Sequence, residues 1–481
     1  MFFDRILKEK QMSNNILTIS DQINSQYKDY AIYVLQGRGI PNFYDGLTPV
    51  QRLILENSPL KYNGTIGLVG EVIKTGLYHH GDSSLSGAIS KLARPFGCSY
   101  SILEGDGFFG SPVNPTPSAA RYTKVKITPK IKDAIFKNFD LNEKNGEGGH
   151  DWLNVEFPIG LLTHVVGIAV GYRSNILPRK YEDIIEYLNG SPKLLKPYFK
   201  DFAGKISKFK NEESTWLLES GFEVDNQKKT IHIFDLPPVM RYDSFINKLD
   251  QKLENIGVDY RIENKSRSKC ELTVSIRGVN QERFSDIAEI VSRLCKIIVK
   301  EDVVFVKDGK VAEFDSIKEY LDSFRTQLEL VKLKRLEKDL ENNENELTFL
   351  EAKLIFLNFM IVKKRTNQEI MDFLSQFESW ISSKLQKIEI VKLNVEHIKE
   401  TELAIKAEKQ KIVEVKKLIK LQEKKYKEVL EIVKKIQVEK QRRLAMGPLF
   451  EMEQIDGIDV FQVIEEEEEN NSDQNEEEDE I

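Results

Sequence analysis

Val391, Ile398, Ile405, Ile412, Ile419, Tyr426 and Val433 recur every seven residues without a miss. They lie in a stretch, 316–445, that holds no glycine and no proline. A long helix with one narrow apolar seam must lay that seam on another helix. Ile388, Val395 and Leu430 read as the companion position four residues on, and Val415, Val429 and Ile436 thicken the stripe. A second series, Leu340, Leu347, Leu354 and Ile361, is flanked by Leu336, Leu350 and Leu357. Between the two series lies an insert, 363–384, with its own apolar set: Ile370, Met371, Phe373, Leu374, Phe377, Trp380 and Ile381. The pattern predicts an antiparallel coiled coil capped by a helical knob. At about 1.5 Å per residue, some fifty residues make an arm of roughly 75 Å. Phe373, Phe377 and Trp380 at its tip are candidate dimer contacts. The plainer alternative is a helical hairpin packed on its own domain, with those aromatics filling the knob's own core.

A chain of 481 residues suggests about three domains. No run of some 18 apolar residues is present, so no membrane partner is expected. The N-terminus, MFFDRILKEKQ, lacks a signal-peptide core, and three scattered cysteines (Cys98, Cys270, Cys295) fit a reducing cytoplasm rather than a zinc site. The net charge of −7 conceals an asymmetry. Residues 446–481 carry 15 acidic groups and no Lys or Arg, so the remaining 70 basic and 62 acidic groups give residues 1–445 a charge of +8. A mildly basic body is compatible with a polyanionic partner.

The stretch 64–127 carries the candidate chemistry. Residues 65–75 have helical spacing, and Asp82 or Ser83 is a suitable N-cap for a second helix ending near Ala93. Two short helices joined by a glycine-containing turn resemble a helix-turn-helix. The turn sets His79 and His80 beside a helix N-terminus, where an anion is favoured; paired histidines in a turn also serve simply as local hydrogen-bond partners. Gly105, Gly107 and Gly110 match a dinucleotide-loop spacing, but the following SPVNPTPS cannot open the helix that such a loop requires. Read as a strand, residues 121–127 turn Thr123, Val125 and Ile127 inward and Tyr122, Lys124 and Lys126 outward. An outward tyrosine among cations, with Arg121 adjacent, can meet a phosphate backbone or act as a nucleophile.

Five motifs then occur in a fixed order: GRGIPNFYDGLTPVQRLIL at 37–55, YHHGDSSLSGAI at 78–89, LEGDGFFGS at 103–111, SAARYTKVKIT at 118–128 and GIAVGYRSNILPR at 167–179. Together they closely resemble the breakage-reunion core of type IIA DNA topoisomerases, over roughly residues 20–445. The resemblance implies an α+β, multidomain fold: an N-terminal extension (1–24), a winged-helix DNA-cleavage domain (25–135), a mixed α/β tower (136–315), a coiled-coil arm (316–445) whose knob (363–384) is a dimerising exit gate, and an acidic tail (446–481) read as disordered. It implies that Tyr122 forms a 5′-phosphotyrosyl bond, that Arg121 holds the scissile phosphate, and that Arg38 and His80 assist. Ile168 would wedge between base pairs, and His79, Lys124, Lys126 and Arg52 would contact DNA. The partners implied are double-stranded DNA, a second copy of the chain and a separate large subunit that binds ATP and Mg²⁺, with Mg²⁺ acting near Tyr122. The location implied is the cytoplasm, that of a host if the chain is phage-encoded.

The departures from the pattern are specific. Thr48 stands where the family carries a lysine, and no EGDSA or paired DxD cluster is present, so no metal ligand is assigned to this chain. Neither an ATPase segment nor the basic box and β blades that follow the gyrase arm are found. A compact chain of this kind resembles the medium subunit of T4-like phage topoisomerases, for which relaxation and decatenation are the expected reactions. Family quinolone binding uses a serine and an acid four residues on; Ser83 matches, whereas position 87 is glycine. The rival readings are a non-enzymatic DNA-binding coiled-coil protein and a nucleotide-binding enzyme built on residues 105–110.

Overall fold

The computed structural model describes residues 27–445, apart from 192, 211, 363–364 and 389–394. The N-terminal extension, the acidic tail, Val391 and the first two residues of the knob lie outside the described residues. The chain forms two compact units, one running to Asp322 and the other starting at Ser323.

The first unit opens with α1 (Lys28–Val34), which runs into a π-turn over Leu35–Gly39, and α2 (Pro49–Glu56). Pro49 occupies the first helical position, and the Thr48 amide donates to Gln51 Oε1 at 3.0 Å in a capping box. Thr48 therefore has a local task as the N-cap. β1 (Asn63–Gly64), α3 (Thr65–Lys74) and α4 (Asp82–Ala93) follow. The two helices fall close to where the apolar spacing puts them, but the N-cap of α4 is Gly81 rather than Asp82 or Ser83, Asp82 being the first helical residue; α4 buries Leu85, Ile89 and Leu92 along one face. β2 (Leu103–Asp106) and β3 (Lys124–Ile127) join β1 in an antiparallel sheet of order β1-β3-β2, and α5 (Pro129–Phe136) closes the region. Thr123, Val125 and Ile127 turn inward as alternation requires. Tyr122, however, is not in the strand. Residues Ala120–Tyr122 form a 3₁₀ turn, because the Tyr122 and Thr123 amides donate to the carbonyls of Ala119 and Ala120 instead of to a neighbouring strand.

The rest of this unit begins with the hairpin β4 (Val165–Ala169) and β5 (Tyr172–Ile176), then α6 (Tyr181–Leu188), β6 (Lys205–Lys208) and β7 (Thr215–Glu219). Next come β8 (Gly221–Asp225), β9 (Thr230–Asp235), α7 (Tyr242–Ile256), β10 (Asp259–Asn264), β11 (Leu272–Arg277) and α8 (Gln281–Leu294). β12 (Lys296–Lys300) and the hairpin β13 (Val303–Lys307) and β14 (Lys310–Phe314) complete it. The sheet β10-β11-β9-β8 lays Ile231, Ile233, Leu272 and Val274 against Phe245, Leu249, Phe284 and Val291 of α7 and α8. All paired strands in named sheets are antiparallel, which fits α+β. Arg179, the last residue of the fifth motif, is buried in an ion pair with Glu301 at 2.6 Å, and Trp216 Nε1 donates to the same carboxylate at 2.8 Å.

The second unit is dominated by α9 (Ile317–Val362), which begins in the first unit, and α12 (Val395–Ala445), about 69 and 77 Å long. Between them lie α10 (Asn367–Leu374) and α11 (Ser379–Gln386). The long helices run antiparallel: Glu351 pairs with Lys409 at 2.9 Å and Glu344 with Lys416 at 2.8 Å, so numbers rise on one helix as they fall on the other. The seam buries Ile405, Ile412 and Val433, as the heptads predict. Its companion row sits three residues on, not four. Thr401, Glu408 and Val429 are buried whereas Val395 is exposed. A d position follows its a position by three, and here the row contains polar residues that an apolar search passes over. In the knob, Ala352, Phe356, Leu374, Ile381 and Leu385 form a core, with Phe373, Phe377 and Trp380 half-buried against it. Phe373 stacks on Phe359 at 4.0 Å and meets Phe377 edge-on at 5.5 Å. Apolar side chains left exposed near it include Met371, at 56%, and Val362, at 77%, with Ile355 and Ile361 exposed on the same helix as Val362.

Candidate functional site

Tyr122 projects from its 3₁₀ turn at the mouth of the β1-β3-β2 sheet and is 71% exposed. The turn is held from below. Thr65 at the start of α3 donates its amide to the Thr123 carbonyl at 2.9 Å, and the two threonine hydroxyls meet at 2.7 Å. Gly107 approaches from β2, where a Cβ would stand 3.1 Å from the Tyr122 carbonyl oxygen. Arg121 is also exposed, its guanidinium 5.1 Å from the Tyr122 ring centre. Lys124 and Lys126 lie on the outward face, each opposite an acid in register. Lys124 pairs with Asp106 at 3.8 Å and Lys126 with Glu104 at 3.1 Å. Lys126 also lies 4.5 Å from the Tyr62 ring centre, and the Tyr62 hydroxyl donates to Glu104 at 2.6 Å. That bond, followed by Lys126, holds the Glu104 carboxyl below its ordinary range.

A second set gathers around Arg38. Its Nη2 lies 2.9 Å from His80 Nδ1. A guanidinium can only donate, so Nδ1 accepts and the ring proton sits on Nε2, pointing a donor outward. Burial, then the charges of Arg38 and His79, push the His80 pKa below the ordinary histidine value. His79 is exposed beside it. Ile168 belongs to this set through the backbone. A Cβ on Gly39 would lie 2.4 Å from the Ile168 carbonyl, and one on Gly167 would lie 1.9 Å from the Gly39 carbonyl. The two glycines let the Arg38 turn and strand β4 touch main chain to main chain. Ile168 is 44% exposed on the same face of β4 as the exposed Val166. Opposite Ile168, Arg173 Nε donates to Asp302 at 2.8 Å, and Ser174 Oγ donates to the Val304 carbonyl at 2.6 Å. No hydrogen bond or ion pair among the described residues joins this set to Tyr122 and Arg121.

Arg52 requires a correction: it is not a DNA contact. It is 3% exposed, and its guanidinium grips Asp45 at 2.7 and 3.2 Å and the Leu47 carbonyl at 3.2 Å. Asp45 in turn accepts from the amides of Leu47 and Leu153. A cation so buried and so engaged ties α2 to the loop before it rather than standing at the surface. The glycine contacts around Gly39 and Gly167 are the feature that motif reading missed, and the paired glycines of GRG and GIAVG were the signal.

Among the described residues no group of three or more His, Cys, Asp or Glu could hold a metal ion. No described helix is long and apolar enough to cross a membrane.

The fold is that of the DNA-binding, cleavage and re-ligation domain of Plasmodium falciparum topoisomerase II: the TM-score is 0.69 at 20% identity, covering 88% of this chain and 65% of that one. The chain belongs to the A-subunit family of DNA gyrase and topoisomerase IV, whose model matches residues 38–436. It is 23% identical over 432 residues to the DNA topoisomerase medium subunit of Enterobacteria phage T4, covering 83% of this chain and 94% of that protein. It is 34% identical over 190 residues to the DNA gyrase A subunit of Haemophilus influenzae, covering 36% of this chain and 21% of that protein. The match thus spans about a fifth of that gyrase protein.

Proposed function

We propose that this chain is the DNA-cleaving and religating subunit of a type IIA topoisomerase. The observation that carries the reading is the exposed Tyr122 hydroxyl on a braced turn with Arg121 beside it. The Tyr122 oxygen loses its proton and attacks a backbone phosphorus. An ester forms to the 5′ phosphate as the 3′ oxygen departs and takes up a proton. Reversal reseals the strand, because one phosphoester replaces another. Arg121 steadies the phosphate by a charge-assisted hydrogen bond. Arg38 and the Nε2–H of His80 donate to phosphate oxygens, and Ile168 unstacks a base step so that bent duplex covers more protein. On this reading α3, α4 and the β1-β3-β2 sheet are the winged helix, the following α/β region is the tower, and the α9–α12 arm with its knob is an exit gate between two copies. Mg²⁺ and ATP belong to a separate large subunit; the metal when bound neutralises charge on the reacting phosphate. Relaxation and decatenation are the reactions proposed.

The test is incubation of the chain with supercoiled DNA, a large subunit of the T4 type and Mg²⁺, followed by denaturation. Wild type leaves DNA covalently attached to protein. Tyr122→Phe, which removes one exposed hydroxyl and keeps the ring, leaves none while binding DNA nearly as well. DNA binding without any covalent product in wild type would leave a non-enzymatic DNA-binding protein. A normal covalent product from the Phe variant would sink the assignment of Tyr122.

A further inference from the structure

The β10–β11 connection, residues 264–269, reads NKSRSK. It belongs to the sheet covered by α7 and α8, not to the sheet beside Tyr122. Lys265, Arg267 and Lys269 are all exposed. Lys265 meets Glu263 in a loose ion pair at 3.5 Å; among the described residues neither Arg267 nor Lys269 has a direct one, although the charge of Lys269 is felt by the Asp235 carboxyl. The main chain beneath these cations is fixed. The Lys265 amide donates to the Glu271 carbonyl at 2.9 Å, and the Arg267 amide to the Lys269 carbonyl at 3.3 Å. Asn264 Oδ1 accepts from the Ser266 amide at 3.0 Å and from the Tyr242 hydroxyl at 2.9 Å. Ser266 Oγ accepts from the Glu271 amide at 2.8 Å. The loop borders a shallow concavity of about 730 Å³ lined by residues 264–269 and Glu271.

Three cations on a pre-shaped loop, with no buried donor beneath them, suit a polymer that offers many phosphates. A small anion would need an enclosed site to offset its desolvation. We propose that this loop is a second DNA-contact point, gripping backbone phosphates of the same duplex away from the break. The proposal rests on the DNA-cleavage reading above. Each phosphate neutralised releases condensed counterions, so the contact registers in the salt dependence of binding. The bonds that shape the loop come from Asn264, Ser266, Tyr242 and the main chain, so alanine at the three cationic positions leaves its frame in place.

The experiment compares the full chain with Lys265→Ala/Arg267→Ala/Lys269→Ala, using a short duplex that covers only the break and a duplex several-fold longer. On the long duplex the variant should bind at least tenfold more weakly, and the slope of log affinity against log salt should fall by up to roughly 2.7, at about 0.9 per lost contact. On the short duplex it should match wild type. A charge-keeping variant, Lys265→Arg/Arg267→Lys/Lys269→Arg, should restore the long-duplex affinity. Unchanged binding on both lengths, with wild type still cleaving, overturns the loop as a contact and leaves the cleavage reading intact. Equal loss on both lengths overturns its placement away from the break. Tighter binding by the alanine variant assigns the loop to the chain's own acidic tail and overturns the DNA contact. Wild type that binds neither duplex overturns the cleavage reading itself.

Discussion

His80 accepts from Arg38 only while its Nδ1 is unprotonated, and this sets a pH dependence. Its pKa lies below the ordinary value, chiefly through burial and then through the charges of Arg38 and His79. The folded chain therefore favours the neutral ring. The stability tied to that preference is fully present above about 6.5 and is lost as pH falls through the depressed value. Cleavage should accordingly hold steady from neutral pH down to about 6.5 and decline only below it. His80→Gln keeps a hydrogen-bonding group but cannot titrate, so its lower activity should lack that acid limb. A wild-type limb centred above the ordinary histidine value would mean that His80 is charged in use. Thr48 and Arg52 show how a single position is read differently once its neighbours are known. The threonine is an N-cap, and the arginine is held by Asp45.

Hairpin β4–β5 holds Ile168 out through its own anchoring, by Arg173 and Ser174, and by glycine contact with the Arg38 turn. Ile168→Ala should therefore reduce DNA bending and cleavage several-fold. The cost in folding should stay within about 0.5 kcal/mol, the usual range for an exposed position. Fluorescence transfer across a labelled duplex reports the bend, and an unchanged bend angle would return Ile168 to ordinary surface. Helix α4 offers a separate test. Ser83 and Gly87 stand one turn apart, and a Cβ on Gly87 meets nothing within 4 Å. Gly87→Asp or Gly87→Glu should thus fit without strain and raise quinolone-stabilised cleavage by completing the serine–acid pair that the family resemblance implies. If wild type is already poisoned as strongly as either variant, the pair is not how the drug binds here.

For the molecule as a whole, the proposed exit-gate dimer would rest on apolar groups that the arm leaves uncovered. Phe373, Phe377 and Trp380 are half-buried against the knob's own core, whereas Met371 and Val362 are exposed. We expect Met371→Glu with Val362→Glu to weaken dimerisation at least tenfold in sedimentation while the chain stays folded. Phe373→Glu should instead unfold the knob, because it breaks the stack on Phe359. Truncation after Gln462 should leave the dimer intact; a monomer there would show that the tail holds the two copies together. Within the arm, Glu329 is buried and takes hydrogen bonds or ion pairs from Lys332, Gln422 and Lys425. A polar layer of this kind fixes helix register at some cost in stability.

Periodicity and chain chemistry alone determined the long helices, α3 and α4, and the inward set of β3, because each follows from neighbours within a few residues, whereas the antiparallel pairing of the arm rests on contacts such as Glu351–Lys409, 58 residues apart. The order of the five motifs determined the family. Contacts between residues far apart in sequence decided the rest. The Arg38–His80 bond spans 42 residues, and the Arg52 guanidinium reaches the His150 carbonyl 98 residues away. A sequence pattern shows that Arg52 is a cation but not that Asp45 has already claimed it. Likewise the heptads give the seam, yet only the partner helix shows that Glu408 and Gln422 sit within it beside the isoleucines. Local periodicity reports which face of an element is apolar; what that face meets is a property of the packed chain.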